Sequence, residues 1–68
     1  MDALQRKLMM KVRQLREQKG WTQETLAERA GLSWGYIARL EIGRHDPSLS
    51  TLIKLAKALK VTMGELVE

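Results

Sequence analysis

Residues 22–43, TQETLAERAGLSWGYIARLEIG, hold two short helix signatures separated by one glycine-centred turn. Thr22 offers a capping hydroxyl, Glu24 puts an acid in the first turn, and Leu26, Ala27 and Ala30 form an apolar stripe closed by Gly31. Two residues later, Ser33 is placed to cap a second segment, Trp34 to Ile42, with Ile37 and Leu40 on its inner face and Gly43 at its end. The pattern predicts two helices that cross closely. Ala27 permits the near approach, and Gly31 supplies a positive φ that a Cβ penalises. A larger residue at either position is expected to disturb the angle between the helices.

On the N-terminal side, Leu4, Leu8, Val12 and Leu15 recur at helical spacing, while Arg6, Lys7, Lys11, Arg13 and Lys19 mostly fall elsewhere on the wheel. An amphipathic first helix is predicted from about Asp2 to Lys19, with Gly20 as its left-handed terminator. At least one of Met9 and Met10 is expected to fill the core. On the C-terminal side, the polar stretch Arg44 to Ser50 around Pro47 reads as a loop. Ser50 is expected to cap a fourth helix with Leu52, Leu55, Ala56 and Leu59 inward and Lys54, Lys57 and Lys60 on a solvated face. Thr62 with Glu65 forms a capping-box pattern for a last turn containing Met63 and Leu66. No strand pattern competes, so the expectation is an all-α, compact bundle of about five short helices, one domain over residues 1–68.

Composition narrows the function classes. The 68 residues carry 12 Lys+Arg against 8 Asp+Glu, one His and no Cys. A chain of this size buries only roughly 60% of the surface its unfolded form exposes, so close-packed helices or a dimer partner must compensate for a thin core. His45 is the only histidine, no GxxxxGK[ST] loop occurs, and the hydroxyls of Ser33, Ser48, Ser50, Thr22, Thr25, Thr51 and Thr62 have no recognisable base beside them. The expectation is no enzyme, no cofactor, no metal and no small-molecule ligand. There is no apolar run of ~18 residues and no signal-peptide pattern, which predicts a cytoplasmic protein that does not enter a membrane. All the excess positive charge lies in residues 1–44, with nine Lys/Arg and five Asp/Glu, a distribution that suits a polyanion or a solvated helix surface.

With ~100° per residue and Ile37 and Leu40 facing in, Gly35 and Arg39 lie nearly opposite the core, flanked by Tyr36, Trp34 and Ala38. Arg39 can pair bidentately with guanine O6 and N7, or clamp a phosphate, or pair with an acid on its own helix. Trp34 and Tyr36 are two of only three aromatics. The Trp34 ring suits a thymine methyl, the sugar-phosphate wall, or packing against the neighbouring helix; the Tyr36 hydroxyl suits a phosphate or a packing role with an exposed tip. Gln23 stands at a helix N-terminus, where its amide and free backbone N–H groups suit a phosphate, and Arg44 follows the helix as a further phosphate candidate.

Several residues together carry a family resemblance. Gln23 opens the second helix, Ala27 and Gly31 stand four apart, and Ile37, Leu40, Glu41 and Gly43 follow; Pro47-Ser48-Leu49-Ser50-Thr51-Leu52 then leads into Leu55-Ala56-Lys57-Ala58-Leu59. Over nearly the entire chain this resembles the Cro/repressor (Xre-type) helix-turn-helix DNA-binding family, with its lambda repressor-like fold and the helix-turn-helix at 22–43. The resemblance implies a sequence-specific regulator of transcription that binds double-stranded DNA with the third helix in a major groove about 12 Å wide. It implies base contacts from Trp34, Gly35 and Arg39, and phosphate contacts from Gln23, Ser33 and Arg44. It also implies a salt bridge between Arg16 and Glu41 joining the first and third helices, so Arg16→Met is expected to weaken orientation more than folding. Trp34 and Ile42 depart from the polar residues frequent at their positions.

One module of this size offers few base contacts, so a homodimer on a palindromic operator is expected, reading half-sites about 34–36 Å apart. Val61, Met63, Leu66 and Val67 are the apolar residues assigned to its interface, with closure of the chain's own core as the alternative use, for Leu66 above all. No further domain is apparent, which fits a phage-type repressor, a restriction-modification controller or an antitoxin equally. The alternative from another class is a protein-interaction module presenting Trp34, Tyr36 and Met9/Met10. RNA binding is disfavoured because a helix cannot read the narrow A-form major groove and the aromatics form no stacking sheet.

Overall fold

A carboxylate starts the first helix: Asp2 Oδ1 accepts the Gln5 N–H at 2.8 Å, while Gln5 Oε1 accepts the Asp2 N–H at 3.1 Å. In the computed structural model, which describes residues 2–68, that helix (α1) covers Ala3–Gln18. It is followed by α2 (Gln23–Ala30), α3 (Trp34–Glu41), α4 (Leu49–Leu59) and α5 (Met63–Val67), and the described residues contain no strand. The predicted all-α architecture of five helices is thereby realised.

The later helices all begin in the same way. Thr22, Ser33, Ser48 and Thr62 each accept the backbone N–H three residues on, at 3.1 to 3.2 Å. A cap of this kind is worth about 0.5–2 kcal/mol, which matters because helices of eight residues are unstable alone. The α4 cap corrects the sequence reading. Ser48, not Ser50, has the extended backbone and the accepting hydroxyl, so the helix starts directly after the buried Pro47 and Ser50 falls within its first turn. At the far end, α4 closes on Lys60 at φ 59, the one non-glycine residue in the left-handed region among those described.

The centre of the bundle is aliphatic. Val12, Leu26, Ile37, Leu40, Leu55, Leu59 and Leu66 are fully buried, so every helix contributes at least one side chain. Met9 joins Leu8 and Val12 in the core, whereas Met10 stays exposed. Leu4 does not follow its stripe inward: it lies one turn before the packed stretch of α1 and keeps 54% of its surface. Ala27 is buried between helices as its size suggests. Gly31 is needed for its backbone alone. Its φ is 69, and a Cβ built there meets nothing within 4 Å, so crowding plays no part.

Leu66 requires a further correction. The Thr62–Glu65 capping box holds α5 so that Leu66 points wholly into this chain's own core, leaving no surface for a second copy. Val61 and Met63 pack part-buried against the same core, and of the four assigned interface residues only Val67 is exposed, at 46%.

Candidate functional site

The turn between α2 and α3 is closed by backbone bonds. The left-handed Gly31 lets the Leu32 N–H reach back to Ala27 O at 2.9 Å, which stops α2 and places Ser33 at the head of α3. Only Leu32 and Ser33 separate that glycine from α3, which fixes the two helices relative to each other. The end of α3 repeats the device: Gly43 takes φ 78, and the Arg44 N–H reaches back to Arg39 O at 2.9 Å. Arg44 is thus held beside the last turn of α3, two residues after Ile42, which caps that helix.

Ile37 and Leu40 anchor α3 with no exposed surface, and the helix turns its other side outward. Trp34 is 57% exposed, Gly35 and Arg39 are exposed, and Tyr36 and Ala38 are half-buried on the flanks. Arg39 folds back one turn along the helix, as helical side chains do. Its Nη1 lies only 3.3 Å from where a Cβ on Gly35 would sit, so the missing side chain leaves the guanidinium room over the helix backbone. Arg39 makes no ion pair with another described residue; Glu41, two positions on, lies on another side of the helix and is held by Arg16.

Glu41 is the hub that ties three helices together. Arg16 grips it bidentately, Nε to Oε2 at 2.9 Å and Nη2 to Oε1 at 3.0 Å, and Arg16 Nη1 donates to Trp21 O at 2.7 Å. Gln23 Nε2 donates to the same Glu41 Oε1 at 3.0 Å. The side chains of Arg16 and Glu41 are 10% and 2% exposed. No buried side-chain polar atom among the described residues lacks a partner, so this network is satisfied, the condition for a buried charge pair to be tolerated.

The other sequence-assigned residues occupy defined places. Gln23 has spent one amide hydrogen on Glu41 and keeps the other, at the N-terminus of α2. Ser33 accepts the Tyr36 N–H with its oxygen and retains its own hydroxyl hydrogen. The Tyr36 hydroxyl lies 2.9 Å from Thr51 Oγ1, which joins α3 to α4, and its ring meets His45 edge-on at 5.2 Å. Thr51, buried and also receiving the Ser48 hydroxyl at 2.9 Å, escaped sequence reasoning. Its place three residues after the Ser48 cap was readable, but a contact across 15 residues was not. Trp21 escaped as well: its ring carries Arg29 at 4.7 Å and Lys19 at 5.3 Å, a cation–π arrangement outside the α3 surface. Among the described residues no group of His, Cys, Asp and Glu is placed to hold a metal ion, and no helix is long and apolar enough to cross a membrane.

Known proteins resemble this chain in sequence and in fold. A helix-turn-helix family model matches residues 12–66. The uncharacterized HTH-type transcriptional regulator y4dJ of Sinorhizobium fredii is 49% identical over 53 residues, covering 78% of this chain and 69% of that protein. The immunity repressor protein of Bacillus phage phi105 is 40% identical over 57 residues, covering 84% of this chain and 40% of the repressor. The chain spans less than half the length of several of the curated relatives it matches. Among solved structures, the restriction-modification controller protein C.AhdI from Aeromonas hydrophila superposes with a TM-score of 0.87 at 40% identity, covering 96% of this chain and 98% of that one.

Proposed function

The chain belongs to the helix-turn-helix family of transcriptional regulators, and from that premise we propose that it is a sequence-specific regulator that binds double-stranded DNA with α3 in the major groove. The observation that carries this reading is the split of α3, with Ile37 and Leu40 buried on one side and Trp34, Gly35 and Arg39 open on the other. Arg39 reads a guanine through its two parallel N–H groups, and Gly35 lets the helix backbone approach the base edges. Trp34 packs its flat ring on a thymine methyl. Gln23, Ser33, Tyr36 and Arg44 hold phosphates on either side and set the register. The buried Arg16–Glu41–Gln23 network supports this division of labour, since it joins the recognition helix rigidly to the helix whose N-terminus meets the backbone.

The regulator acts by occupying its operator in the cytoplasm, without chemistry or cofactor. It binds a palindromic site as a homodimer, with Val67 and the exposed parts of Val61 and Met63 at the interface. Selection from a random duplex library, followed by Arg39→Ala, tests the reading. The expected outcome is a defined half-site whose guanine preference relaxes in the variant, with a loss of about 1–3 kcal/mol. An enriched motif that Arg39→Ala binds as selectively as the parent removes α3 as the reading head.

A further inference from the structure

A cleft of about 250 Å³ runs between α1 and the C-terminal end of α3, lined by Arg6, Met9, Met10, Leu40 and Ile42 together with Glu41 and Gly43. Arg6 and Met10 also border a second, shallower groove with Lys7 and Lys11. Met10 and Ile42, on facing elements, keep 67% and 66% of their surface, an unusual exposure for two large apolar side chains that share one cleft. Arg6, Lys7 and Lys11 make no ion pair with another described residue. Of the acids at hand, Glu41 is neutralised by Arg16, and Glu68 at the rim of the second groove stands against three cations.

We propose that this cleft is a docking site for an acidic amphipathic segment of a partner protein, which seats an aliphatic side chain between Met10 and Ile42 and lays carboxylates against Arg6, Lys7 and Lys11. The apolar floor calls for an apolar anchor, which a phosphodiester backbone lacks. A second copy of this chain docked through the same patch would set Arg6, Lys7 and Lys11 against their own equivalents. An amphipathic helix with carboxylates flanking its apolar stripe answers both demands, the anchor supplying affinity and the flanking charges steering encounter. None of the α3 residues assigned to base reading lines the cleft, so this site stands or falls apart from the operator reading.

The test uses a fluorescein-labelled synthetic helical peptide with leucines at i, i+4 and i+7 among glutamates, titrated with the full chain by anisotropy. Saturable binding is expected, weakened about tenfold by Met10→Gln and by Ile42→Asn. Both substitutions are neutral and exposed, and circular dichroism melts check that each variant stays folded. On the unmodified chain, amide shifts are expected to move at residues 6–11 and 40–43. A peptide with lysine for glutamate is expected not to bind. Absence of saturable binding, unchanged affinity in both variants, or shifts confined to other residues overturns the proposal. So does a Met10→Gln variant that loses duplex binding as strongly as peptide binding, which makes the face a nucleic-acid contact. A dimer that dissociates on Met10→Gln makes it an interface between copies, and equally overturns the partner.

Discussion

Replacing Arg16 by methionine tests how α3 is held. The substitution removes the 2.9 and 3.0 Å bonds to Glu41 and the 2.7 Å bond to the Trp21 carbonyl. It leaves the Glu41 carboxylate, whose side chain is 2% exposed, with Gln23 as its remaining partner at 3.0 Å. Stranding one member of a buried ion pair costs about 3–5 kcal/mol. At about 0.05–0.15 kcal/mol per residue, a 68-residue chain has roughly 3–10 kcal/mol in total. The single variant therefore forfeits a third or more of its stability, and folding bears the loss rather than orientation alone, which revises the expectation drawn from sequence. Adding Glu41→Leu removes the stranded charge, while the half-buried Gln23 amide and Trp21 carbonyl turn to water. The double variant should recover at least about 2 kcal/mol relative to the sum of the singles. Urea unfolding followed by far-ultraviolet circular dichroism measures all four corners of the cycle. An Arg16→Met loss below about 1 kcal/mol, or simple additivity in the double variant, would falsify the account of Glu41 as a buried charge held by its partner.

Three further outcomes follow from individual contacts. Lys60→Gly should raise the urea midpoint, gaining about 0.5–1 kcal/mol, because Lys60 is held at φ 59 where a Cβ is unfavourable; a lowered midpoint counts against that strain. Tyr36→Phe removes the 2.9 Å bond to Thr51 and should cost about 0.5–1.5 kcal/mol in thermal or urea melts, modest because Thr51 keeps Ser48; no change would mean that the α3–α4 link carries no stability. Arg44→Gln should weaken operator and random duplexes alike and flatten the dependence of log K on log salt by about one unit, whereas a loss restricted to the operator would make Arg44 a base reader.

How far the sequence could be read depended on the range of each interaction. The caps Thr22, Ser33 and Thr62 were readable at the right residue from hydroxyl and acid positions, and Asp2 as the start of the first helix, because a cap needs only the three residues that follow it. The fourth helix was misjudged for the same local reason: Ser48 and Ser50 both precede its apolar stripe, and only the backbone path past buried Pro47 selects Ser48. The outward side of α3 was legible because two anchors, Ile37 and Leu40, fix the phase of an eight-residue helix. What those outward residues do with their side chains was not legible. Arg39 lies across Gly35, Tyr36 leans on Thr51, and Gln23 gives one hydrogen to Glu41.

By itself, then, the amino-acid order determined the five helices, their stops at Gly20, Gly31 and Gly43, and the faces they turn inward, since each follows from a repeat or a cap within a few residues. Tertiary structure alone decided which apolar side chains the core had room for: Met9 and Leu66 went in, while Met10, Leu4 and Ile42 stayed out. It also brought Arg16, Gln23 and Glu41 to one point. Both outcomes depend on how helices distant in sequence meet, and the periodicity of a single helix contains its own phase but not the position of its neighbours.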